Sequence, residues 1–266
     1  MSVSPSILIG CMYLLVGYLL AVGPARRRFG WSSESASSAR VASWVAALLV
    51  IFFSLNGPLH EWADEYLFSA HMVQHLLLML VMPPFLIWGL PPWLIRKALE
   101  WRPVYLAGRV LTHPGVAFVA YNAVFIFWHL PQNYDLALMD HGIHIGQHLS
   151  FMAVAVMMWW PVVNPVEELE RIPTGPLLMG YVFLFGIPGT VISAFITLSD
   201  STLYRWYAAA PRVTGLSALD DQRLGGLIMW IPGMLIFWAA ITAVFFRWTK
   251  DEYRSWREDP EAPSPL

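Results

Sequence analysis

With 266 residues, 57% of them hydrophobic and 13% charged, the chain carries about half the charge of a soluble globular domain and reads as an integral membrane protein in a lipid bilayer. Its net charge of −2, with no Lys/Arg run longer than Arg26, Arg27 and Arg28, excludes nucleic acid as a partner. The single cysteine, Cys11, excludes an intrachain disulfide and a cysteine-only metal cage, so any metal chemistry draws on histidine, methionine or carboxylate.

Apolar stretches fall at about 6–23, 39–56, 69–90, 114–130, 145–163, 176–198 and 225–248, each near the 17–25 residues that a spanning helix needs. The expected fold is all-α: a bundle of seven transmembrane helices in one domain, 1–248, followed by a short charged cytoplasmic tail, 249–266. The first stretch has no basic residue before it and three arginines after it, which predicts an N-outside anchor and not a cleaved signal. With that orientation, thirteen of the sixteen Lys/Arg lie in inner segments, and only Arg205, Arg212 and Arg223 lie outside. The bias predicts an outside N-terminus and a cytoplasmic C-terminus.

Seven of the eight histidines then fall on the outer side. His60 precedes the third stretch, and His71 and His75 open it, four residues apart and so on one helical face; Met79 continues that face inward. His129 ends the fourth stretch. His141, His144 and His148 lead into the fifth, where His144, His148 and Met152 repeat the spacing of His71, His75 and Met79. Only His113 is placed inside. Histidines gathered on one side of a membrane, at its costly apolar margin, point to function.

Imidazole suits zinc, copper, iron or nickel, and thioether shifts the preference to copper, Cu(I) above all. The metal candidates are therefore His71, His75, His129, His144 and His148, with His60, His141, Met79, Met152, Asp140 and Asp221 as secondary ones. Gln74, Asn133, Asp135, Asp140, Gln147 and Asp221 are candidates to accept the second N–H of a ligating ring. Elsewhere, Pro83-Pro84, Pro188-Gly189 and Pro232-Gly233 predict kinks, and Gly186, Thr190 and Ala194 form a small-residue packing face. Trp31, Trp159, Trp160, Trp248 and Trp256 suit an inner interfacial belt, and Trp93 to Leu99 suits an amphipathic segment in the interface.

The string HMVQHLLL with its Pro-Pro and Gly-x-Pro, then WHLP-x-x-YD-x-AL (Trp128 to Leu138), His144-x3-His148 before WWP, LY-x-x-Y (Leu203 to Tyr207) and DQRLGGLIMWIPG (Asp221 to Gly233) resembles the polytopic CtaG family of bacterial cytochrome c oxidase assembly factors. Arg223 stands where that pattern leads one to expect a second glutamine, and Gln147 where an acidic residue is common. The resemblance implies a multi-pass protein of the bacterial cytoplasmic (inner) membrane that acts as a chaperone and not as an enzyme. It implies copper delivery to the catalytic subunit of cytochrome c oxidase, with copper-donor proteins as further partners.

Two other classes fit the residues alone. A zinc-dependent intramembrane hydrolase would need a carboxylate at the metal, from Asp140, Asp200 or Asp221. A haem-binding electron-transfer subunit would need histidines at both membrane depths, and His113 is the only one on the inner side.

Overall fold

The computed structural model describes residues 4–170 and 172–258; residues 259–266 of the expected tail, and Arg171 of the inner-side set, lie outside them. Twelve helices and one short 3-10 turn, with no strand, form the fold of the described residues. In chain order they are α1 (Pro5–Phe29), α2 (Ser38–Ser54), α3 (Pro58–Glu65), α4 (Phe68–Gly89), α5 (Pro92–Leu99), α6 (Arg102–Leu111), α7 (Pro114–His129), α8 (Pro131–Met139), α9 (His141–Val163), α10 (Pro176–Thr197), α11 (Arg205–Ala209) and α12 (Ala218–Glu258).

Five of these helices, α1, α4, α9, α10 and α12, are long and apolar enough to cross a membrane. Two bent pairs, α2 with α3 at 45° and α6 with α7 at 68°, bring the number to as many as seven. Large apolar side chains such as Tyr13, Phe53, Val119, Phe195, Leu235 and Phe246 are exposed along the outside of these helices, as expected where lipid and not water is the neighbour. The expected tail begins as helix, since α12 continues to Glu258.

The bends have local causes. Proline lacks the N–H that would close the i→i−4 bond, so Pro83 leaves the carbonyl of Met79 without its helical partner. α4 answers with a widened π turn at Leu77–Val81, and the Trp159 indole N–H donates to the freed Met79 carbonyl at 3.1 Å. This contact places Trp159 in the core, 5% exposed, and not in an interfacial belt. Pro188 and Pro232 lie inside helices that run on without a break. α5 is amphipathic as expected, with Ile95 buried and Arg96 paired with Glu168 at 2.8 Å.

The Asp221 to Gly233 string is the joint between α12 and its neighbours. Asp221 is fully buried and accepts from the backbone N–H groups of Phe68, at 2.8 Å, and Ser69, at 3.3 Å, and from the Ser69 hydroxyl. It thereby caps α4 from another helix, since Leu67 at the N-cap position has no side chain that can do so. Gln222 accepts from Leu203 N–H at 2.6 Å, and Arg223 donates to the Ser199 carbonyl at 3.2 Å. Gly225 and Gly226 allow the close approach: a Cβ would sit 2.3 Å from the Phe68 ring in the first case and 2.3 Å from Thr197 Oγ1 in the second. α10 lies along the next turns of α12, where a Cβ on Gly186 would meet Met234 Sδ at 3.1 Å.

Candidate metal centre

The first turns of α4 and α9 and the last turn of α7 bring His71, His75, His129, His144 and His148 together inside the bundle, each no more than 6% exposed. Ring centres are 4.3 Å apart for His71 and His75, 4.4 Å for His144 and His148, 5.5 Å for His71 and His144, and 6.1 Å for His75 and His129. His71, His144 and His148 each offer a ring nitrogen, and these three atoms lie within 4.8 Å of one another.

The hydrogen bonds assign the tautomers. The Tyr207 hydroxyl donates to the Ala63 carbonyl, so it receives the N–H of His71 Nδ1, at 2.9 Å. His71 Nε2 is then the bare nitrogen, and it accepts from His75 Nε2 at 2.8 Å. His75 Nδ1 is left as a buried lone pair with no partner. His129 donates from Nδ1 to the Phe125 carbonyl at 2.7 Å, which leaves Nε2 bare and unpartnered.

His144 faces Asp64 Oδ2 with Nδ1, at 3.4 Å, and its Nε2 is unpartnered; His148 has no partner on either nitrogen. Buried imidazole nitrogens without hydrogen bonds are costly, and the cost is offset where they bind an ion. A ring with one nitrogen on a carboxylate and the other free is the arrangement common to metal-bound histidines. Nitrogens about 2.0 Å from a tetrahedral ion are about 3.3 Å from one another, so the triad needs only a modest contraction to close on a metal. The donors present fit zinc or copper.

The secondary candidates divide. His60, partly exposed, lies 3.4 Å from Asp64 and accepts from the Gln74 amide at 3.1 Å, so it joins the rim of the cluster. His141 is exposed. Asp140 caps α9 by accepting from Ile143 N–H at 3.0 Å, and Asp221 caps α4; neither carboxylate contacts a histidine. Asp200 is exposed and lines a groove on α10.

Met79 is buried and shares a cavity with His75 and His129. Met152 lines a different, apolar cavity with Leu14, Ile51 and Met82, so the two methionines do not form one layer. Of the expected acceptors, only Gln74 reaches a histidine, and it does so as a donor to His60. Asn133 bonds the Phe127 carbonyl, and Asp135 accepts the N–H groups of Arg205 and Trp206, so it caps α11. Gln147 is fully buried with no partner on either amide atom.

Sequence reasoning missed Asp64 and the role of Tyr207. Asp64 stands four residues after His60, an i, i+4 pairing that was visible; its approach to His144 was not. The cavity beside His75 measures about 50 Å³, room for an ion or a few waters and not for a macrocycle, and the buried histidines form a single cluster, so the haem reading has no geometric support among the described residues.

Fold and site together define a polytopic helical membrane protein with a buried polyhistidine centre. Residues 16–251 match the cytochrome c oxidase caa3 assembly factor family, and the chain belongs to it. It is also similar to uncharacterized proteins of Mycobacterium bovis and Mycobacterium tuberculosis, at 26% identity over 274 residues, covering 94% of this chain and 40% of each relative. A third, from Mycobacterium leprae, is 24% identical over 97% of this chain and 41% of its own length. The chain thus spans about two fifths of the length of these relatives. No solved structure matches it.

Proposed function

We propose that this chain takes copper from a donor protein, holds it on His71, His144 and His148, and passes it to the catalytic subunit of cytochrome c oxidase. In this reading it crosses the bacterial cytoplasmic membrane seven times, with its N-terminus outside and the metal centre near the outer face. The observation that carries it is the triad: three buried imidazoles from two helices, with one ring nitrogen of each within 4.8 Å of the others, in a member of an oxidase assembly family. Neutral imidazoles in a site with no cysteine suit a cargo that has to leave again. Asp64, partly exposed and touching both His60 and His144, gives an arriving cation a first oxygen ligand.

Metal quantification on protein purified without a polyhistidine tag tests the reading. Copper in preference to zinc is expected. His148→Ala should remove at least half of the bound copper, and His113→Ala, which alters only a helix cap at the far end of α7, should remove none. Equal losses from both would mean misfolding and overturn the assignment. Asp64 favours one second reading, a zinc hydrolase, because it supplies a carboxylate beside the triad that Asp140, Asp200 and Asp221 do not. Zinc at full occupancy with hydrolysis lost in Asp64→Asn would put that reading first.

A further inference from the structure

We propose a second metal site, specific for Cu(I), on the other side of the His71–His75 hydrogen bond, formed by His75 Nδ1, His129 Nε2 and the thioethers of the cavity they share. Its two nitrogens are not those of the triad. Both are bare lone pairs by the tautomers that the hydrogen bonds fix, both are buried, and neither has a partner. A metal lies about 2 Å from a ligating imidazole nitrogen and so about 3 Å from the ring centre; the two rings, 6.1 Å apart between centres, are spaced for one ion between them.

The surroundings choose the ion. His75 and His129 line the same cavity of about 50 Å³, and four methionines, Met72, Met79, Met229 and Met234, line it with them. No Asp or Glu lines this cavity. A divalent cation would enter it with two neutral nitrogens and no anion nearby, at a heavy desolvation cost. Monovalent copper carries half that charge, accepts low coordination and binds thioether. A small residue keeps the space: a Cβ on Gly186 would crowd the Met234 sulfur at 3.1 Å, and the freed Met79 carbonyl is held by Trp159. The triad, with Asp64 at its edge, is the harder site, and this one is the softer.

The two sites meet at one bond. A metal on His71 Nε2 takes the lone pair to which His75 Nε2–H donates, so loading the triad breaks that hydrogen bond and frees the His75 ring to settle on the second ion. The inference stands on different atoms from the proposed function, and one experiment separates them. The full chain, in detergent and without a polyhistidine tag, is titrated anaerobically with Cu(I) against a chromophoric chelator, and separately with Zn(II).

The native chain should bind two Cu(I) and one Zn(II). His129→Ala should keep one Cu(I) and the Zn(II), the zinc serving as the folding control. Met79→Leu with Met234→Leu should lower one Cu(I) affinity at least tenfold and leave zinc unchanged. His148→Ala should lose the Zn(II) and keep one Cu(I), with sulfur in its X-ray absorption shell. One Cu(I) in the native chain, abolished by His148→Ala, overturns the second site and leaves the triad standing; so does a stoichiometry of two unchanged in His129→Ala. A single Cu(I) lost in His129→Ala but kept in His148→Ala upholds the second site and removes the triad.

Discussion

α4 and α9 carry the same pattern, two histidines and a methionine at intervals of four, and use it differently. On a regular helix each residue turns by about 100°, so four residues overshoot one turn by about 40° and eight by about 80°. α9 is regular over its first five turns, and its methionine has swung off the histidine stripe into a separate apolar cavity. α4 has the π turn at Leu77–Val81, where each residue turns by about 80° because bonds close i→i+5; the lag brings Met79 back beneath His75. Equal spacing in sequence is therefore not equal direction in space, and a proline pair placed downstream decides which methionine meets the histidines.

The first histidine of each spaced pair, His71 and His144, is also held by a different kind of group, and this contrast can be broken at either end. Asp64→Asn removes the carboxylate behind His144 and should weaken metal binding at the triad by about 10–100-fold, the usual effect of losing a partner behind a metal-bound histidine; a competition titration with Zn(II) checks it. Tyr207→Phe removes a neutral hydroxyl behind His71. A neutral hydrogen bond contributes about 1 kcal/mol net, so a loss of about fivefold in the same titration is expected. A Tyr207→Phe effect as large as that of Asp64→Asn would mean that the two helices are held by equivalent groups.

The smallest effect sharpens the contrast most. Met152→Leu should cost under about 1.5 kcal/mol of stability and leave Cu(I) affinity unchanged, whereas Met79→Leu alone should lower it measurably. Identical behaviour of the two in a Cu(I) titration would show that the π turn does not separate them.

The histidine cluster was legible because its pairs are local: His71 and His75 share a face by spacing alone, and so do His144 and His148. The apolar stretches likewise marked the helices, since lipid selects length and composition directly. What could not be read was tertiary. The sequence offered Asp221 as a metal-side acceptor, but its oxygens cap a helix that begins 153 residues earlier. Asp140 was the avoidable error, because an aspartate three residues before Ile143 at a helix start is an N-cap by its position alone. Trp159 looked interfacial next to Trp160, yet the carbonyl it satisfies was freed by prolines on another helix.

α12 spans 41 residues without interruption, a rod about 60 Å long. Asp221 stands in its first turn and grips the opening residues of α4, while its other end carries Lys250, Arg254 and Arg257. The charged end is thus one tip of a handle whose other tip is fastened to the start of the helix that bears His71 and His75, so a displacement of the rod at either end is passed to that start.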